Sequence, residues 1–178
     1  MSGPAWFTIL VGLVGLERIA ELVVSKRNRA WSLARGGVEY GRSHYPYMVA
    51  LHVGLLVGAV VEVWLRRPTF VAALSIPMLL LVLASEALRW WCIATLGSRW
   101  NTLVIVVPGL PPVATGPYRW LRHPNYVAVV VEGFALPLVG SAWVTAGVFT
   151  VLNAVLLRVR INVENAAIAT LPTAREGV

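Results

Sequence analysis

The sequence predicts an all-α integral membrane protein, and three observations carry that prediction. The chain is 58% hydrophobic and only 13% charged, whereas soluble domains carry roughly 25% charge. Its apolar runs approach the roughly 20 residues that cross 30 Å of hydrocarbon. Its basic residues, nearly all arginine with Lys26 as the one lysine, stand at the ends of those runs. A net charge of +7 placed in this way marks membrane topology rather than a nucleic-acid surface. The 178 residues allow one domain of about five transmembrane helices, with a polar loop and a C-terminal helix extension on one face.

The first span covers about 6–24. It has no basic stretch before it and no small-residue cleavage site after it, so it is expected to be retained. Glu17 and Glu21 share a helix face, and Arg18 can pair with Glu21 at i, i+3. These charges fit an internal ion pair that fixes packing better than a set of substrate ligands. A polar loop is expected over 25–45, carrying Lys26, Arg27, Arg29, Arg35 and Arg42 and broken at Gly36-Gly37 and Gly41. It has room for a short interfacial helix around Trp31.

The second span covers about 46–65. Pro46 suits its first turn, and Arg66-Arg67-Pro68 ends it. The third covers 69–96, with Pro77 inside and Glu86 and Arg89 able to pair at i, i+3. In 97–124, Thr102–Val107 is rich in β-branched residues and Pro108–Pro112 is rich in turn residues. A local strand–turn–strand excursion is expected there. The fourth and fifth spans, 125–139 and 142–157, are joined by Gly140-Ser141 and must be antiparallel neighbours. The fifth continues into a polar helix bearing Arg158, Arg160, Glu164 and Asn165.

With five spans, the 25–45 loop, the 97–124 loop and the tail share one side. That side holds most of the basic residues, Arg99, Arg119, Arg122 and Arg175 among them. Positive-inside orientation places it in the cytoplasm, with the N-terminus outside, in a membrane that is expected to be the bacterial inner one.

Chemistry concentrates in Thr115–Tyr126, where a polar cluster caps a greasy bundle. Glu132 is a lone carboxylate in the fourth span and a candidate pocket residue, since an intramembrane charge is costly. Cys92 lies inside an apolar run and reads as a buried inert thiol. A single cysteine excludes a disulfide framework or a cysteine-based metal site within the chain. The three histidines make no recognised ligand set, so no metal is expected.

The order Gly116-Pro117-Tyr118, Arg122-His123-Pro124-Asn125-Tyr126, a short helical hairpin, then Arg160 with Glu164, resembles the isoprenylcysteine carboxyl methyltransferase superfamily. These are small integral membrane enzymes that use S-adenosylmethionine and release S-adenosylhomocysteine. The resemblance covers roughly 96–168. In the first half, Glu17-Arg18, Glu21-Leu22, Arg27-Asn28, Gly36-Gly37-Val38-Glu39, His44-Tyr45-Pro46, Met48-Val49 and His52 resemble the short bacterial branch associated with type III polyketide synthases. Members of that branch O-methylate lipidic alkylpyrones or related phenols. The chain departs from the family at Glu164-Asn165, where two adjacent glutamates are common, and at 171–178, which lack the family's aromatic tail. Both departures weaken a prenylcysteine carboxylate as substrate.

The resemblance implies a cytoplasmic cofactor-binding region formed by 97–124 and 158–171. Gly116, Pro117, Tyr118, Arg122, His123, Pro124, Asn125, Tyr126 and Glu164 would hold the donor. The physical demands agree. Methyl transfer from a sulfonium needs donor and acceptor about 3–3.5 Å apart in a dry site, with a polar donor arriving from water and a lipid acceptor from the bilayer. His123 could bond the donor's carboxylate or ribose, and backbone N–H groups near Asn125 and Tyr126 favour the carboxylate. Tyr118 and Tyr126 could face the sulfonium or stack on adenine. Glu164 could take ribose hydroxyls or the amino group, and Arg160 the carboxylate or an anionic acceptor.

A phenolic acceptor has a pKa of about 10 and would profit from a base; His44 and His52 are the candidates, with His44, Arg160 and Glu164 expected to carry catalysis. A carboxylate acceptor needs none. Glu17, His52, Trp90, Glu132 and Asn165 are the expected substrate contacts. The expected partners are a lipophilic small molecule and membrane lipid, with the oligomeric state open. The competing expectation is an NADPH-dependent membrane reductase of the sterol or steroid type, which carries a similar Arg-His-Pro-x-Tyr motif.

Overall fold

The computed structural model describes residues 3–169; Arg175, the end of the expected 158–171 region and all of 171–178 lie outside the described residues. Five helices build the fold: α1 (Gly3–Leu33), α2 (Tyr45–Arg66), α3 (Ala72–Leu96), α4 (Pro124–Val139) and α5 (Trp143–Ile168). Two three-residue strands, β1 (Val38–Tyr40) and β2 (Val104–Val106), complete it. The molecule is an all-α membrane protein. Of the five expected spans, α2, α3 and α5 are long and apolar enough to cross a bilayer. The apolar α4 has 16 residues, or about 24 Å. The 31-residue α1 carries the charges that keep its mean hydropathy down.

α4 sits at the centre, packed on α3 and α5, while α2 joins α5 to α1. Gly133 makes the α4–α5 approach possible: a Cβ there would stand 1.9 Å from the Phe149 ring. Glu62, near the end of α2, fastens the start of α5. Its carboxylate accepts from the Val144 and Thr145 amides at 3.1 and 2.8 Å and from the Thr145 hydroxyl at 2.8 Å. Ala142 offers no side-chain cap, so α2 supplies the carboxylate that the α5 N-terminus favours.

The interior is layered. Phe7, Val11, Val14, Ala59, Val63, Val82, Leu136 and Val139 fill one end with an apolar core. Above it lies a charged layer. Arg18 reaches Glu21 at 2.8 Å, Glu86 at 2.6 Å and Glu132 at 3.1 Å. Arg89 bonds Glu132 and lies 3.3 Å from Glu21 and 3.7 Å from Glu86. Glu17 accepts from the Trp90 indole. The i, i+3 pairs legible in the sequence thus merge, and the lone Glu132 of the sequence joins Glu21 and Glu86 as a carboxylate that both guanidiniums share. Charge buried among apolar helices persists only when paired and hydrogen-bonded in this way.

Two local expectations are corrected. The polar loop expected from 25 is helical to Leu33, with Trp31 inside α1. Ser25, Asn28 and Ser32, spaced i, i+3, i+7, form a buried polar stripe. The stripe is satisfied by the segment that follows α3: the Asn28 amide donates to the Gly97 and Trp100 carbonyls at 3.0 and 2.8 Å. The strand–turn–strand expected within 97–124 is also replaced. β2 pairs antiparallel with β1, with Val38 opposite Val106 and Tyr40 opposite Val104. Gly36 and Gly41, at φ +76 and +67, supply the left-handed turns that bring β1 alongside. Tyr40, Val104, Val106 and Ala167 make a small second core between this ribbon and the end of α5.

Candidate active site

The third layer, beyond the charges, is a cleft of about 240 Å³. One wall is apolar, running through Leu103, Ile105, Val107, Leu110 and Pro111 to Val113; the other carries Tyr118, Arg122, His123, Asn125, Tyr126, Arg160 and Glu164. Local sequence explains the polar wall. Pro117 and Pro124 are buried and set the first turns of a short helix at Gly116–Arg119 and of α4, where a missing N–H costs nothing. Gly116 has φ +54, and a Cβ there would lie 2.4 Å from the Thr95 hydroxyl. Only glycine lets the loop lie against α3 at that point.

Tyr126 is the hinge of the polar wall. Its hydroxyl donates to Glu164 and accepts from Arg160 Nε at 2.8 Å. Its ring stacks on His123 at 5.2 Å between centroids. His123 lies 3.8 Å from Glu164 through Nδ1 and 3.2 Å from Asn165 through Nε2. Arg160, 8% exposed, also donates to the Thr102 carbonyl at 2.6 Å and reaches Met48 Sδ at 3.5 Å. Among the described residues no carboxylate pairs with it directly; Glu164 reaches it only through the Tyr126 hydroxyl. Burial, helped by the Cys92 thiol, pushes the Tyr118 phenol above its ordinary range, so it stays protonated.

The helix start offers less than the sequence suggested. The Tyr126 and Val127 amides are taken by the His123 carbonyl at 3.0 and 3.3 Å. Side chains compensate. Asn101 Oδ1 and Asn125 Oδ1 are buried acceptors of cleft-lining residues without a hydrogen-bond partner. Two orphaned acceptors, the Glu164 carboxylate and an unpaired guanidinium form a set that fits a zwitterionic donor with hydroxyl and amino groups.

Of the expected donor contacts, Tyr118, Arg122, His123, Asn125, Tyr126 and Glu164 line the cleft; Gly116, Pro117 and Pro124 shape it from behind. Asn165 touches it through His123. Other expected contacts lie elsewhere. Glu17, Trp90 and Glu132 belong to the charged layer. His52 bonds the Met48 carbonyl at 2.8 Å and meets Phe149 edge-on. His44 occupies the N-cap position of α2 without a side-chain cap bond and packs against Gly41 outside the cleft lining. Burial and the Arg160 charge hold its imidazole below the ordinary 6.5.

The sequence reading missed Asn101, Thr102 and Ser25. The last had a signal, the helical spacing of Ser25, Asn28 and Ser32 inside a presumed loop.

Comparison with known proteins adds an independent finding. The model of the isoprenylcysteine carboxyl methyltransferase family matches residues 78–170. Uncharacterized protein YpbQ of Bacillus subtilis is 36% identical over 164 residues, covering 91% of this chain and 96% of that protein. An uncharacterized protein of Haemophilus influenzae is 26% identical over 155 residues, covering 86% and 90%.

Proposed function

The chain belongs to the isoprenylcysteine carboxyl methyltransferase family, and from that premise we propose that it transfers a methyl group from S-adenosylmethionine to a lipophilic acceptor. The acceptor is an alkylpyrone or alkylphenol hydroxyl, or an isoprenylcysteine-like carboxylate. The observation that carries the reading is the cleft between the apolar wall and the Arg160–Tyr126–Glu164 wall, with its two orphaned amide oxygens. S-adenosylmethionine supplies an electrophilic methyl group on a sulfonium; the rest is the work of the chain's own residues.

Asn101, Asn125 and Glu164 accept hydrogen bonds from the ammonium, amino and hydroxyl groups of the donor. Arg160 takes an anionic group, the donor's carboxylate or that of the acceptor. Tyr126 holds Arg160 and Glu164 at fixed separation, and His123 backs Glu164. The apolar wall excludes water and takes the acceptor's hydrocarbon. A carboxylate acceptor arrives ionised. A hydroxyl acceptor must lose a proton, and Glu164, the carboxylate in the cleft lining, receives it. His44 stays neutral behind that wall. The exposed Arg119 and Arg122 beside the mouth support a cytoplasmic cleft and an outside N-terminus.

Calorimetry in detergent with S-adenosylhomocysteine against NADPH tests the reading. Binding of S-adenosylhomocysteine alone is expected; binding of NADPH alone would replace the proposal with a reductase. Mass spectrometry of lipid extracts from cells with and without the gene should then show an acceptor gaining one CH₂ unit.

A further inference from the structure

Arg160 is aimed by a residue that neither the motif nor the cleft contains. Its Nη2 donates to the Thr102 carbonyl at 2.6 Å. Thr102 precedes β2, so no strand pairing fixes it. It is held instead by α1 and the start of α2: its amide donates to Ser25 Oγ at 2.9 Å, and its hydroxyl lies 2.9 Å from the same Ser25 oxygen and 3.3 Å from the Tyr45 hydroxyl. Ser25 is 4% exposed, so no water can replace it cheaply. The residues on either side, Asn101 and Leu103, line the cleft. Ser25 and Tyr45 both lie outside residues 78–170, which the family model matches.

We propose that Ser25 is a positioning residue: through Thr102 it orients the Arg160 guanidinium toward the cleft. The inference rests on the methyltransferase reading of that cleft. The guanidinium is a rigid fork of donors, so one tethered nitrogen sets the direction of the others. Removing Ser25 Oγ leaves the Thr102 amide without an acceptor and frees the carbonyl that tethers Arg160.

The test uses the full chain in detergent, with S-adenosylhomocysteine affinity by calorimetry and transfer of label from S-adenosylmethionine into a membrane lipid extract. Ser25→Ala is expected to weaken S-adenosylhomocysteine about five-fold, the worth of roughly one hydrogen bond, and to slow transfer about ten-fold. Thr102→Ser keeps every polar atom of the junction and should stay within about two-fold of wild type. Ser85→Ala, an equally buried serine bonded only within its own helix, should leave transfer unchanged. The decisive arm is the pair with Arg160→Lys: the double variant should be no slower than Arg160→Lys alone.

Factors that multiply would show that Ser25 does not act through Arg160, and a Ser25→Ala protein equal to wild type would overturn the proposal outright. If Ser25→Ala does not fold, Thr102→Val removes the hydroxyl alone; it should slow transfer about three-fold with the same non-additivity, and a wild-type rate sinks the idea. Wild-type protein that binds no S-adenosylhomocysteine overturns the methyltransferase reading and this inference together. Wild-type binding with an unaffected Ser25→Ala overturns the inference alone.

Discussion

The charged layer and the cleft are made of the same residue types on overlapping helices. On α4, Tyr126 and Glu132 stand only about 9 Å apart along the axis at 1.5 Å per residue. Yet in the charged layer Arg18 and Arg89 lie against carboxylates from α1, α3 and α4, although Arg18 Nε, Arg89 Nε and Glu86 Oε2 lack a hydrogen-bond partner. In the cleft Arg160 has uncharged partners only, and two amide oxygens have none. Buried charge that is closed on itself holds helices together. Buried charge left open beside a cavity awaits a ligand. What separates the two polar clusters here is charge pairing: carboxylates face both guanidiniums of the charged layer, whereas none pairs directly with Arg160 among the described residues.

Breaking the charged layer should produce the largest effect, and on folding rather than chemistry. Arg89→Ala leaves Glu132 and Glu21 short of a buried partner and is expected to cost about 3–5 kcal/mol, read as thermal unfolding in detergent. The folded fraction should keep its S-adenosylhomocysteine affinity; a stable variant that lost binding would merge the two clusters into one site. In the cleft the pattern should invert. Arg160→Ala should lower methyl transfer about 100-fold with little change in unfolding temperature, and His123→Ala should abolish donor binding in a folded protein. A large drop in stability from either would mean that the cleft is scaffold.

Glu62→Gln probes a third polar site, one that is fully satisfied and stands at the other end of α5 from Arg160. It should cost about 1 kcal/mol, the worth of a helix cap, without altering transfer. The smallest effect is a pH dependence. His44 titrates below its ordinary 6.5 in the folded protein, so on acidification the unfolded chain binds a proton that the folded chain refuses. Stability is therefore full above pH 6.5, falls as the pH drops below it, and levels off beneath the folded value. His44→Gln should flatten that segment of the stability curve; an unchanged slope assigns it to another group.

Much of this was legible in sequence because membrane helices announce themselves by length and apolarity. Helices form at all five expected spans, and Arg66, Arg99 and Arg122 mark the ends of α2 and α3 and the approach to α4. The Arg122–Tyr126 motif with Arg160 and Glu164 identified the cleft's polar wall because those side chains are specific in type and order. What stayed hidden is long-range. The pairing of Val38 with Val106 joins segments too far apart for a local hairpin rule. The partners of Arg18 on α3 and α4 follow from how the helices pack, not from i, i+3 spacing. α1 outran its apolar stretch because the polar face of Ser25, Asn28 and Ser32 is buried against backbone carbonyls and a hydroxyl contributed by residues 97–102.

α5 runs without a break from the Glu62 carboxylate at its first turn to Arg160 and Glu164 near its last. Val144 and Arg160 are thus about 24 Å apart on one stiff rod at 1.5 Å per residue. In the proposed orientation its foot is pinned at one membrane surface and its Arg160–Glu164 end stands at the other. A bilayer that thickens or thins makes such a rod tilt to match, and every degree of tilt swings the guanidinium relative to the Tyr126 hydroxyl on the shorter α4. Under the proposed function, lipid composition would gain a mechanical lever on the chemistry, with no binding event of its own.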